Sequence, residues 1–308
     1  MPYFHVVFTL PAAIADIALQ NPALLYDLLL RTSAETMQEI AADPKHLGAE
    51  IGFLSVLHTW GQNLMHHPHV HCVVPGGGLA PDGERWIGCR ENFFLPVRVL
   101  SRVFRGKFLE RLRRAYDGST LKFFGSLGKY RNSATFRRLL NEAYRREWVV
   151  YAKPPFGGPE QVLKYLARYT HRVAISNQRL RSMEGDHVSF EWKDYAHGQL
   201  RRTMTLTALE FIRRFLLHVL PARFVRIRQY GFLANCQRKA KLEVCRRWLN
   251  AARVPEPEPG GDADVTSTPP AEAVDRCPNC GVARMRRVEE KMRPSTQQVF
   301  DSWPFDSS

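Results

Sequence analysis

At 308 residues with 44% hydrophobic side chains, the chain is long enough for one large or two modest domains with real cores. Its 44 Lys and Arg against 30 Asp and Glu give a formal charge of +14, which points to a polyanionic partner, nucleic acid above all. No apolar run nears the roughly 18 residues that span a bilayer, and MPYFHVVFTL lacks the basic region and cleavage site of a secretory signal. No membrane partner is expected, and a cytoplasmic, nucleoid-associated protein is.

In chain order, His5–Leu10 is a short β-rich run ended by Pro11 and reads as a buried strand. Asn21 to about Ala42 has helical periodicity, with Asn21 as N-cap and Pro22 at the first helical position. Gly52–Leu64 reads as a second strand, followed by a turn near Met65–Pro68 and a third strand over His69–Val74 that ends at Pro75-Gly-Gly-Gly78. Phe93–Pro96 reads as a short strand entering a basic helical insertion over about 98–148, in which Asn132 or Ser133 starts a helix. Trp148–Ala152 is β-rich and closed by Pro154-Pro155, and Pro159 opens a helix to about Arg172. Val188–Lys193 is a further strand. Leu206–Leu220 is an amphipathic helix within a second basic, helical stretch over about 199–250. These elements make one α+β domain over residues 1–250. A Pro/Gly/acidic linker without core-forming capacity follows over 251–276, then a short tail over 277–308.

The two basic stretches sharpen the partner argument. Arg98–Trp148 holds 14 Lys/Arg against 4 Asp/Glu, and Gln199–Trp248 holds 12 against 2. Both interleave charge with aromatic rings, the composition of a surface that tracks phosphates and stacks bases. Of the six cysteines, only Cys277-Pro-Asn-Cys280 has metal-ligand spacing; Cys236 and Cys245 are the residues that could complete a four-ligand zinc site with it.

Two segments carry chemistry. In HPHVHC, period-two alternation puts His69 and His71 on one face of a strand, with Val70, Cys72 and Val74 on the other. The apolar face is expected to pack on helices and the histidine face to stay open. Paired imidazoles suit a divalent ion, and an oxygen ligand beside them would suit Mg²⁺ or Mn²⁺. Gln62 and His58 share a parity on the preceding strand; Gln62 is preferred as third ligand because a tight hairpin brings it nearest His69, with His58 as the alternative. His66 and His67 fall at the turn and are expected to face solvent. In YLARYTHR, helical spacing puts Tyr165 and Tyr169 on one side, with Lys164, Arg168 and Arg172 nearby to favour the phenolate and neutralise a phosphate. Either pair alone also reads blandly, as surface histidines or packed aromatics.

The segments MPYFHVVFTLP, LHTWGQNLMHHPHVHCVVPGGG, YLARYTHRVAIS, VSFEWKDY, MTLTALEFIRRFLLHVLP and IRQYGFLAN strongly resemble the two-tyrosine HUH transposases of rolling-circle insertion sequences, the IS-ninety-one type. The resemblance implies His69 and His71 as metal ligands and Tyr165 and Tyr169 as nucleophiles. It also implies a ferredoxin-like palm, a central antiparallel sheet with helices on one face, and single-stranded DNA at transposon ends and target as substrate. Members usually carry a cysteine-rich zinc module ahead of the first strand; here that strand begins near residue 2, so a copy without the module is expected. A plasmid-type replication initiator or relaxase is the competing enzyme, and a non-catalytic DNA-binding remnant the competing binder. With no GxxxxGK[ST] run, unwinding is expected from a host helicase.

Overall fold

The computed structural model describes residues 2–156, 174–194, 198 and 200–251. All of them lie in the first of the two units into which the chain divides, Met1–Arg253 and Val254–Ser308. The architecture is α+β, as expected. A five-stranded sheet runs in the order β10-β2-β3-β1-β6 with every neighbouring pair antiparallel. Its strands are β1 (Tyr3–Thr9), β2 (Gly52–Trp60), β3 (His66–Pro75), β6 (Val150–Phe156) and β10 (Ile227–Gly231).

Alternation decides what each face does. Phe4, Val6 and Phe8 of β1, Phe53 and Leu57 of β2, and Val70, Cys72 and Val74 of β3 join one core with the helices α1 (Ala12–Gln20), α2 (Pro22–Ala42), α3 (Val97–Asp117) and α4 (Ser133–Arg145). Phe104 of α3 meets Phe8 edge-on at 5.0 Å, and Trp148 packs on both Phe104 and Phe108. Above this core α2 and α3 are tied by the ion pairs Lys107–Glu39 and Arg111–Glu35. The helices therefore cover one face of the sheet and leave the histidine face to other parts of the chain.

A second sheet is formed by β7 (Leu180–Glu184), β8 (His187–Asp194) and β9 (Leu200–Thr207). Its inner side meets the β2–β3 turn: Phe190, Trp60, Leu64 and Ala174 cluster with Trp192, Met204 and Leu206, and with Phe211 and Phe215 of α5 (Ala208–Leu216). Arg179 fastens the two sheets, donating to the Gln62 and Glu191 carbonyls. A small ribbon of β4 (Gly77–Leu79) and β5 (Trp86–Gly88) packs near α6 (Arg238–Ala251) through Trp86, Phe232 and Trp248. Among the described residues no helix is long and apolar enough to cross a membrane.

Several sequence expectations are corrected. The hairpin turn lies at 61–65, where Gly61 N–H donates to the Met65 carbonyl and Asn63 Oδ1 accepts from Met65 N–H, so β3 starts at His66. Pro68 is tolerated inside the sheet because the β2–β3 register shifts beside it. Phe93–Pro96 is no strand; Phe94 and Leu95 are instead buried plugs of the main core. The first helix, α1, lacked a cap signal to announce it. Strand β6 runs through Pro154 and Pro155, which an edge strand allows because one side of its backbone needs no donor. The stretch 199–250 is not wholly helical: β9 ends where Thr207 Oγ1 accepts the Glu210 N–H and starts α5, and β10 follows before α6. Asn132 does cap α4, accepting from Thr135 N–H. Asn21 precedes α2 but turns its amide elsewhere, bonding the Ile17 and Lys122 carbonyls and the Lys122 N–H.

Candidate metal centre

The face of β3 opposite the helices carries His69 and His71. The antiparallel register sets His58 of β2 directly across from His69, and Val56 across from His71. Directly paired residues point to the same side, so one strand pair delivers three imidazoles to one place. His58, His69 and His71 each offer a ligand nitrogen, and these lie within 4.8 Å of one another. The ring centroids are 4.3 Å apart for His58–His71, 4.7 Å for His69–His71 and 5.4 Å for His58–His69.

The expectation that this face stays open is overturned: the three rings are no more than 4% exposed. Trp60 stacks on His58 at 4.8 Å, and His218 meets Trp60 edge-on while its own ring bridges Thr59 Oγ1 and the Leu64 carbonyl. His66 also departs from its expected solvent position, sharing a 2.8 Å hydrogen bond with Tyr26, whereas His67 is exposed as expected.

Burial fixes the protonation state. It pushes His69 down to about 3, with His67 adding to the fall and the His67 carbonyl opposing it. His58 and His71 are held well below the usual imidazole range, by burial first; His69 and His5 then lower both, and His58 lowers His71 as well. The cations Arg226, acting on His58, and Lys153, acting on His71, push the same way. All three rings are thus neutral at neutral pH, the state in which imidazole ligates. His69 Nδ1 lies 2.6 Å from the His67 carbonyl, which can only accept. Its Nδ1 therefore carries the proton, and its Nε2 keeps the lone pair.

The donor set fits a metal ion. Nitrogens held at about 2.0–2.1 Å by one tetrahedral ion are about 3.4 Å apart, so a group lying within 4.8 Å needs to close by no more than about 1.4 Å. Among the described residues the group contains no carboxylate. Gln62, the third ligand preferred from sequence, is a buried residue of the turn whose carbonyl accepts from Arg179; the imidazole brought into the group is that of His58.

A fourth histidine, His5 of β1, was not singled out in the sequence. It is 2% exposed, and its Nε2 is 2.7 Å from His71 Nδ1, the two rings nearly parallel at 5°. His5 has the parity of Val7, which pairs with His71, so it is the pairing of β1 with β3 that places it here. Tyr165, Tyr169, Lys164, Arg168, Arg172, Cys277 and Cys280 lie outside the described residues. Cys236 is exposed, while Cys245 is buried beside Phe232 and Trp248, which pushes its thiol up to about 11. That shift disfavours the thiolate a zinc site needs.

Residues 52–241, more than half of the chain, match the family described as "Putative transposase". A protein of Sinorhizobium fredii named "Putative transposase y4qJ" is 58% identical over 93% of this chain and 73% of its own length. The "Transposase for insertion sequence element IS801" of Pseudomonas savastanoi pv. phaseolicola is 30% identical over 92% of this chain and 67% of its own. No solved structure matches the chain. With a central antiparallel sheet backed by helices, three converging imidazoles, and similarity running nearly end to end, the chain belongs to the Y2 transposase family of the IS-ninety-one type.

Proposed function

We propose that this transposase nicks and rejoins single-stranded DNA in rolling-circle transposition, using Tyr165 and Tyr169 as nucleophiles and His58, His69 and His71 to hold a divalent ion. The observation that carries the reading is the set of three neutral, buried imidazoles on the face of the sheet opposite α1–α4. Such a site would supply Lewis-acid polarisation of a phosphate oxygen. An all-imidazole donor set favours Mn²⁺ over Mg²⁺, whose preference is for oxygen.

In the proposed reaction a tyrosine Oη forms a bond to phosphorus as the bond from phosphorus to the 3′ oxygen breaks. The 3′ oxygen leaves as a hydroxyl with the phenol's proton, and the 5′ phosphate stays on the tyrosine. A second tyrosine permits a second strand to be held while the first 3′ hydroxyl attacks, so strands exchange without ATP. Lys164, Arg168 and Arg172 share the tyrosines' segment and neutralise the transferring phosphate. Tyr151, on edge strand β6, is opposite Val7 and so shares the histidine face; it is half exposed with the Lys153 ammonium 5.9 Å from its ring, and Arg105 similarly overlies exposed Tyr144. Exposed rings beside cations suit unpaired bases. Duplex opening is assigned to a host helicase.

The test is incubation with end-labelled single-stranded DNA carrying the element's termini, with Mn²⁺ or Mg²⁺. A covalent protein–DNA band is expected, absent with EDTA and in the Tyr165→Phe/Tyr169→Phe protein. Persistence of the band in that double variant refutes the nucleophile assignment.

A further inference from the structure

His5 stands outside the three converging ligands yet touches one of them. In the β1–β3 register Val7 is opposite His71 and His5 opposite Val73, which makes His5 the diagonal neighbour of His71 on the same face. Diagonal neighbours on adjacent strands are in reach of long or aromatic side chains. The contact here is a ring-to-ring hydrogen bond of 2.7 Å between His5 Nε2 and His71 Nδ1. Two neutral imidazoles joined this way hold one proton between those nitrogens, so one ring donates and the other accepts.

We propose that His5 is a positioning residue for the metal centre, its Nε2 accepting the His71 Nδ1–H so that His71 presents an unprotonated Nε2 to the ion. The inference rests on the metal-site reading above. It completes a pattern already visible at His69, whose Nδ1–H is fixed by the His67 carbonyl. Each β3 ligand then has its tautomer and ring orientation set by a partner on the side away from the ion, as is usual for ligating histidines. For His71 the partner is an imidazole rather than a carbonyl or carboxylate. The nearly parallel ring planes, 5° apart at 4.9 Å, also limit rotation of His71 about its ring bond.

The experiment is Mn²⁺ titration of the metal-free protein by calorimetry, comparing the unchanged chain with His5→Leu, His5→Gln and His69→Ala. Loss of an outer partner of a ligand weakens metal binding about 10–100-fold, and that is the expectation for His5→Leu. The amide oxygen of His5→Gln can take the accepting role, and affinity within about threefold of the unchanged chain is expected there. Binding by His5→Leu within the same threefold, while His69→Ala has lost it, overturns the positioning role and leaves the metal reading standing. No Mn²⁺ binding by the unchanged chain overturns both. Independently of how any variant folds, nitrogen-15 imidazole spectra of the metal-free unchanged protein should show His71 protonated at Nδ1; protonation at Nε2 overturns the inference.

Discussion

His58→Ala is the perturbation that most sharply separates the histidine triad from a pair completed by the turn. His58 sits across from His69, its ring is 4.3 Å from that of His71, and it is 1% exposed. The truncation removes one of the three converging nitrogens and leaves only the His69–His71 pair. The two survivors cannot replace it without a third donor moving in. Because losing even a supporting partner costs up to about 100-fold, losing a ligand should cost at least about 100-fold in Mn²⁺ affinity, or about 2.7 kcal/mol. Gln62→Ala should leave affinity within about threefold, since the contact made by this residue with Arg179 is through its carbonyl. The assay is competition titration with a chelating fluorophore, with the thermal midpoint of each metal-free variant measured alongside. An unchanged His58→Ala, or a loss confined to Gln62→Ala, would show that the third donor is not His58.

Two further predictions probe the frame. Gly231 ends β10 at φ +60°, and a Cβ there would stand 1.7 Å from the Ile51 carbonyl oxygen. Gly231→Ala should therefore cost about 2–4 kcal/mol in urea unfolding, combining left-handed strain with a displaced strand end, whereas Gly128→Ala, where a Cβ meets nothing within 4 Å, should cost far less; equal midpoints refute the argument. His66 is lowered from 6.5 to about 4 by burial, then by His218 and His67. The unfolded chain therefore takes up its proton first, and stability is lost as pH falls from about 6.5 to about 4, reaching about 2 kcal/mol at pH 5. His66→Gln should remove that share of the loss between pH 7.5 and pH 5 in the metal-free protein; an identical loss in both proteins contradicts it.

The sequence carried the sheet's functional face in outline, because period-two alternation at HPHVHC separates histidines from Val70, Cys72 and Val74 whatever the register. It could not choose between Gln62 and His58, because that choice depends on where the turn falls. Asn63 and Gly61 close it three residues earlier than Met65–Pro68 suggested, and the earlier turn brings His58 opposite His69. His5 was hidden for a different reason. Its partner is 66 residues away, and only the pairing of β1 with β3 brings them together. The burial of the histidine face was likewise illegible, since a strand's pattern says which residues share a side and not what will cover it. Thr207 shows local chemistry overriding periodicity: the amphipathic run from Leu206 suggested helix, but β9 uses its first residues and the threonine cap sets the start.

The central claim, metal-assisted cleavage through a paired tyrosine, can be tested by peptide mapping. Trypsin cuts after Lys164, Arg168 and Arg172, so Tyr165-Leu-Ala-Arg168 and Tyr169-Thr-His-Arg172 are released as separate peptides. After reaction with single-stranded terminus DNA and Mn²⁺, then nuclease trimming and digestion, mass spectrometry should find a nucleotide phosphate on one or both peptides. The same modification should be missing from His69→Ala/His71→Ala protein. A nucleotide carried by any other peptide, or undiminished labelling without the two histidines, would contradict the account.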